Sequence, residues 1–171
     1  MSMIFLIGMP GSGKSHWAEQ LAAAHSLSFL DLDKLIEERE GQTISGIFKT
    51  KGEDYFRHLE SVLLREIINS EAQNIIIACG GGAPCFANNL SNMKLAGNII
   101  YLRATPAWLT ARLQSEAAHR PLLQEKDLLP YLQQLLNMRR HFYEQADHIL
   151  DVENISLSTF DKIISSCINR P

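Results

Sequence analysis

The chain has 171 residues, a length that suits one domain with a real hydrophobic core rather than two. Its apolar fraction of 46% and charged fraction of 20% are those of an ordinary globular protein, which argues against a disordered or fibrous chain. The formal net charge of −3 provides no global basic field for nucleic acid or anionic lipid, so any anion site must be local. Ile4–Ile7 reads as a first strand that runs into a glycine loop, not as a signal peptide. Lys14–His25 is helical, with Trp17, Leu21 and Ala24 at helical spacing, and Ser28–Leu30 is a second strand. Helices are expected over Lys34–Glu40, Ser45–Lys51 and Asp54–Asn69, broken at Gly41 and Gly52. Ile75–Ala78 and Ile99–Leu102 are the third and fourth strands. Pro106–Ser115 and Leu128–Gln145 are helical, His148–Val152 is a fifth strand and Ser158–Ile168 a closing helix. No apolar run approaches the roughly 20 residues that span a bilayer. Cys79, Cys85 and Cys167 have no CxxC spacing, as expected of thiols in a reducing compartment.

The third strand is apolar on both faces, as in a parallel sheet covered by helices on both sides. Alternating strands and helices imply a layered α/β domain, whose ligands sit beyond the carboxyl ends of the strands. Three motifs follow strands directly: Gly8–Ser15, Asp31–Asp33 and Gly80–Gly82. The first, Gly8-Met9-Pro10-Gly11-Ser12-Gly13-Lys14-Ser15, is a complete G-x-x-x-x-G-K-[ST] between an apolar strand and a helix. Glycines let successive backbone N–H groups point inward as an anion nest, and the following helix adds its positive end. Lys14 then bridges the β- and γ-phosphates of ATP, and Ser15 offers its hydroxyl to Mg²⁺.

The third strand ends Ala78-Cys79-Gly80, without a metal-binding aspartate. Asp31 and Asp33 are the nearest carboxylates. If the second strand continues to Asp33, both point to one side, one for metal and one for an acceptor hydroxyl. The alternative is that both cap the following helix. Arg57 and Glu60, three apart on a helix, form either a functional pair or a surface salt bridge. Of the adjacent Arg139 and Arg140, spacing alone does not choose the buried one. Phe48 and Phe56 suit the core as well as a ligand wall, and Arg112 suits any exposed helix face. The histidines show no metal-like clustering.

From Ile4 to about Asn154 the sequence resembles the shikimate kinases, a P-loop family similar to the nucleoside-monophosphate kinases. The resemblance rests on Asp31-Leu32-Asp33, Ile47-Phe48, Gly52-Glu53, and Phe56-Arg57 with Glu60. It also rests on Gly80-Gly81-Gly82-Ala83, Arg120-Pro121-Leu122-Leu123, and Arg139 four residues before Tyr143. Leu32 and Cys79 are mild departures from the family pattern. The resemblance implies that Asp33 contacts the acceptor hydroxyls and acts as the base or orienting group, while Arg57, held by Glu60, and Arg139 bind the acceptor carboxylate. It implies that Gly80, Gly81 and Gly82 let the backbone approach the substrate closely and that Phe48 and Phe56 line the ring. Arg120 would swing in with a lid over roughly 113–126, Arg112 would lie along the adenine, and Asp31 would assist Mg²⁺. Gly11, Ser12, Gly13, Lys14, Ser15, His16 and Asn154 complete the expected nucleotide set.

The expectation is therefore one kinase domain over residues 1–171: an α/β P-loop fold with a parallel five-stranded sheet, helices on both faces and a mobile lid. It would phosphorylate the 3-hydroxyl of shikimate with ATP and Mg²⁺, as a cytoplasmic monomer without nucleic-acid or membrane partners. The alternatives are a gluconate or nucleoside-monophosphate kinase, or a P-loop protein that binds nucleotide without catalysis.

Overall fold

The computed structural model describes residues 3–70, 72–116 and 127–168. Five parallel strands form one sheet: β1 (Met3–Ile7), β2 (Ser28–Asp31), β3 (Ile75–Ala78), β4 (Gly97–Arg103) and β5 (His148–Asp151), in the order β2-β3-β1-β4-β5. Every residue of β1 and β3 is buried, so helices must cover both faces of the sheet. The helices are α1 (Lys14–His25), α2 (Leu32–Glu40), α3 (Ile44–Ile68), α4 (Asn89–Ala96), α5 (Pro106–Glu116), α6 (Leu128–Tyr143) and α7 (Leu157–Ile168). Short 3₁₀ turns occupy Ala83–Cys85 and Val152–Asn154. Among the described residues no helix is long and apolar enough to cross a membrane.

Local chemistry sets the boundaries. Asp31 ends β2 in an extended conformation and its Oδ1 accepts from the N–H groups of Asp33 (3.0 Å) and Lys34 (3.2 Å), so the chain turns into α2 at once. The second strand therefore does not continue to Asp33, and the two aspartates do not share a strand face. The capping alternative holds for Asp31 alone. Thr43 caps α3 through Gly46 N–H, with Glu37 accepting from Ile44 N–H. The expected break at Gly52 is present as a non-helical residue (φ 83°, ψ 171°) inside α3.

Two features position the site. β1 lies between β3 and β4, so the loop that leaves its carboxyl end sits where the strand order reverses. In register, Leu6 and Asp31 both pair with Ala78, and Cys79 N–H donates to Leu6 O at 3.0 Å. The phosphate loop, Asp31 and the glycine triplet thus leave the sheet side by side.

Candidate active site

The phosphate loop wraps the start of α1. Gly13, the residue before that helix, is left-handed (φ 87°), a conformation that costs glycine little. No side chain caps α1, so its first N–H groups face the cleft. The cleft, of about 330 Å³, is lined by Pro10, Gly11, Gly13, Lys14, Ser15, His16, Asp31, Asp33, Ala78, Cys79, Gly81 and Arg112. Lys14 Nζ donates to Gly8 O and Met9 O, both at 3.0 Å. Burial pushes its ammonium down to about pKa 8 against the pull of Asp33. Ser12 differs from its neighbours: it is buried and outside this lining, and its N–H donates to Met9 O at 3.2 Å.

Asp33 stands in the first turn of α2 at the junction of two clefts. Its Oδ1 is buried, with no hydrogen bond among the described residues. Burial raises its carboxyl above the usual range, opposed by Lys14. The second cleft, of about 620 Å³, shares Pro10, Asp33 and Gly81 with the first and extends to Phe48, Glu53, Phe56, Arg57, Tyr131 and Arg139.

A buried charge cluster forms its floor. Arg57 Nη1 donates to Glu60 Oε2 at 2.8 Å, and Glu60 is fully buried, so this pair is not a surface salt bridge. Burial pushes the Glu60 carboxyl up to about pKa 7 in spite of Arg57. The glycine triplet makes room for these groups. A Cβ on Gly80 would stand 2.4 Å from Glu60 Oε1 and 2.8 Å from Asp33 Oδ1, and one on Gly82 would stand 2.4 Å from Arg57 Cζ. All three glycines also line the second cleft, and at Gly80 and Gly82 the chain's own side chains already come close. Arg139 and Arg140 are now distinguished. Arg139 lines the second cleft, whereas Arg140 is exposed and pairs with Glu144 at 2.8 Å.

The family model described as Shikimate kinase matches residues 10–169. The chain belongs to the shikimate kinase family. It is 37% identical to the shikimate kinase of Phocaeicola vulgatus over 91% of this chain and 89% of that one. The fold superposes on the crystal structure of shikimate kinase from Bacteroides thetaiotaomicron with a TM-score of 0.84, 35% identity and coverage of 99% and 95%. For shikimate kinase from Acinetobacter baumannii in complex with shikimate, the TM-score is 0.87 at 30% identity, with coverage of 99% and 96%.

In this shikimate kinase family member the remaining expected residues fall into three groups. Phe48 and Phe56 both line the second cleft, their ring centroids 4.8 Å apart, with Phe56 buried and Phe48 half-exposed at the mouth. Arg112 lies over the Trp108 ring and beside Gly13, at the edge of the phosphate cleft. Asn154 is not brought to that cleft. It lines a separate groove with Arg103, Thr105 and Glu153. Arg120 and most of the expected lid lie outside the described residues. Leu113, the first lid residue by sequence, is helical and buried against Gly11, so α5 runs past the expected start of the lid.

Sequence reading gave no role to Tyr143 or Asn89. Tyr143 is buried against Tyr101, and its hydroxyl donates to Gly81 O at 2.5 Å, tying α6 to the triplet. Buried Asn89 Nδ2 donates to Ser61 Oγ (3.0 Å) and Ala83 O (2.9 Å), fixing the turn after the triplet onto α3. The only signal for Tyr143 was its spacing from Arg139; for Asn89 there was none. Tyr143→Phe keeps the ring packing and deletes the bond to Gly81 O together with a weak contact to Met9 Sδ at 3.9 Å. It should lower stability by about 1–2 kcal/mol in denaturant unfolding, the usual effect of leaving a part-buried carbonyl without its donor. An unchanged midpoint would show that the bond contributes nothing.

Proposed function

We propose that this chain transfers the γ-phosphoryl group of ATP to the 3-hydroxyl of shikimate, giving shikimate 3-phosphate for the synthesis of chorismate and the aromatic amino acids. The observation that carries this reading is the shared wall of the two clefts. Asp33 borders both the phosphate loop and the pocket that holds Arg57 and Arg139. A nucleotide in one cleft and a carboxylated acceptor in the other bring the γ-phosphoryl group and the acceptor hydroxyl together at Asp33. Family membership and the likeness to a shikimate-bound relative support shikimate as that acceptor.

In this mechanism the α1 N-terminus and Lys14 hold the phosphates. Arg57 and Arg139 bind the acceptor carboxylate, Phe48 and Phe56 flank its ring, and Asp33 takes the proton of the attacking hydroxyl. Lys14 and, from the lid, Arg120 offset charge on the transferring group in a loose transition state. The residues also fit Mg²⁺. Ser15 and Asp31 line the phosphate cleft with hard oxygen donors, and both backbone bonds to Asp31 fall on Oδ1. No group of three or more ligating side chains exists among the described residues. That suits an ion held by one or two protein oxygens and the nucleotide phosphates. When bound, Mg²⁺ would withdraw charge from the β- and γ-oxygens. The same reading takes the protein as a cytoplasmic monomer.

ADP release with shikimate, gluconate and nucleoside monophosphates as acceptors tests the reading. Shikimate alone should support turnover, and preference for another acceptor would overturn the proposal. Arg57→Ala and Arg139→Ala should each weaken shikimate binding about ten- to a hundred-fold, the effect of losing a charge-assisted bond of roughly 1.5–3 kcal/mol, while ATP binding is kept. Equal loss of ATP affinity would place these arginines at the nucleotide.

A further inference from the structure

The guanidinium of Arg57 is held by two carboxylates of unequal character. Glu60 takes Nη1 at 2.8 Å and is fully buried. Glu53 places a single oxygen, Oε1, 3.3 Å from both Nε and Nη2, and its side chain is 65% exposed. Gly82 and the Phe56 ring pack against the guanidinium. A carboxylate that binds arginine through two parallel bonds must use either the Nε–Nη2 edge or the Nη1–Nη2 edge. Glu60 shares the second, and Glu53 covers the first. Both Glu53 and Arg57 line the acceptor cleft.

We propose that Glu53 is a specificity-determining residue: a resident carboxylate that occupies the Nε–Nη2 edge of Arg57 and must be displaced by the carboxylate of the acceptor. This inference rests on the reading that Arg57 receives the acceptor carboxylate. Of the two partners, Glu53 is the one that can leave, because its contacts are long and exposed whereas the Glu60 bond is short and buried. Gly52 lies immediately before it in a non-helical conformation, and even a Cβ there would meet nothing within 4 Å. The backbone break beside it and the exposure of its own side chain leave Glu53 free to swing aside. A ligand without a carboxylate cannot make the exchange, so Glu53 keeps Arg57 neutralised against uncharged polyols that would otherwise fit the cleft.

The exchange has a sign that a merely supporting role does not share. Glu53→Gln keeps the length and removes the competing charge. Calorimetric binding of shikimate should tighten by about two- to fivefold, the effect of releasing one exposed ion pair. The KM for shikimate should fall in step while that for ATP holds. The neutral carboxamide of shikimate should bind both proteins alike, since it does not compete for the guanidinium edge. Weaker or unchanged shikimate binding in Glu53→Gln would overturn the inference and leave Glu53 as a brace for Arg57. Equal tightening of the carboxamide would also overturn it. Arg57→Ala, measured in parallel, separates the two levels: unchanged shikimate affinity there would remove the Arg57 reading itself, and the inference with it.

Discussion

Asp33→Asn should lower kcat by about 10²–10⁴-fold with little change in ATP affinity, the range expected when a positioned general base is lost. Asparagine keeps the size and can accept a hydrogen bond, but it takes no proton. The structure clears the main competing explanation, because Asp31 and not Asp33 caps α2. A fall in turnover therefore reports chemistry rather than a frayed helix. The same substitution should raise the thermal midpoint. Asp33 Oδ1 is buried without a bond among the described residues and faces Gly80 opposite Glu60 Oε1, so a charge there is held against its preference. The sign follows from linkage. A carboxyl raised above its unfolded value contributes least once it is ionised in the folded state, so the wild type loses ground to Asp33→Asn as pH rises through the acidic range. Asp31→Asn should respond differently, its defect eased by added Mg²⁺. Near wild-type kcat in Asp33→Asn would remove Asp33 from the mechanism.

Lys14→Met should reduce turnover by about 10²–10³-fold or more, since it deletes the loop cation proposed to hold the phosphates. In the structure Nζ folds back onto Gly8 O and Met9 O, so the substitution also releases two loop carbonyls. The helix and sheet do not depend on those bonds, and the circular dichroism spectrum should be kept. Burial sets a pH signature. The Lys14 ammonium is pushed down to about 8, so ATP affinity should fall as pH is raised above 8 and the amine loses its charge. Lys14→Met should bind ATP weakly at every pH, without that slope. A folded Lys14→Met protein with near-normal turnover would remove the phosphate-loop assignment.

Some elements were legible because their signal is local. Ile4–Ile7 and Ile75–Ala78 are apolar at every position, which only a strand covered on both faces accommodates. The break at Gly52 was visible because helix formers stand on both sides of one glycine. By contrast α4 was not foreseen. Asn89, Leu90 and Met93 are buried and Ala96 partly so, but Leu95 is almost wholly exposed, so the apolar residues of these eight do not mark a clean helical face.

The sequence by itself determined the phosphate loop, the parallel sheet and the residue types of the site. Each of these is a run of neighbours whose backbone and side-chain preferences act over a few residues. Only the tertiary structure decided which of two similar residues does which job. Asp31 caps and Asp33 faces both clefts because β2 ends at Asp31 and α2 begins at Leu32, turning Asp33 off the strand. Arg139 reaches the second cleft while Arg140 pairs with Glu144 in solvent, because adjacent residues on a helix point about 100° apart and only packing sets which one faces inward. Gly80 and Gly82 make room for Glu60, Asp33 and Arg57, contacts that join β3 to α2 and α3. Burial, and with it the raised carboxyls of Asp33 and Glu60, exists only once the sheet edge, α2, α3 and α6 have closed around them.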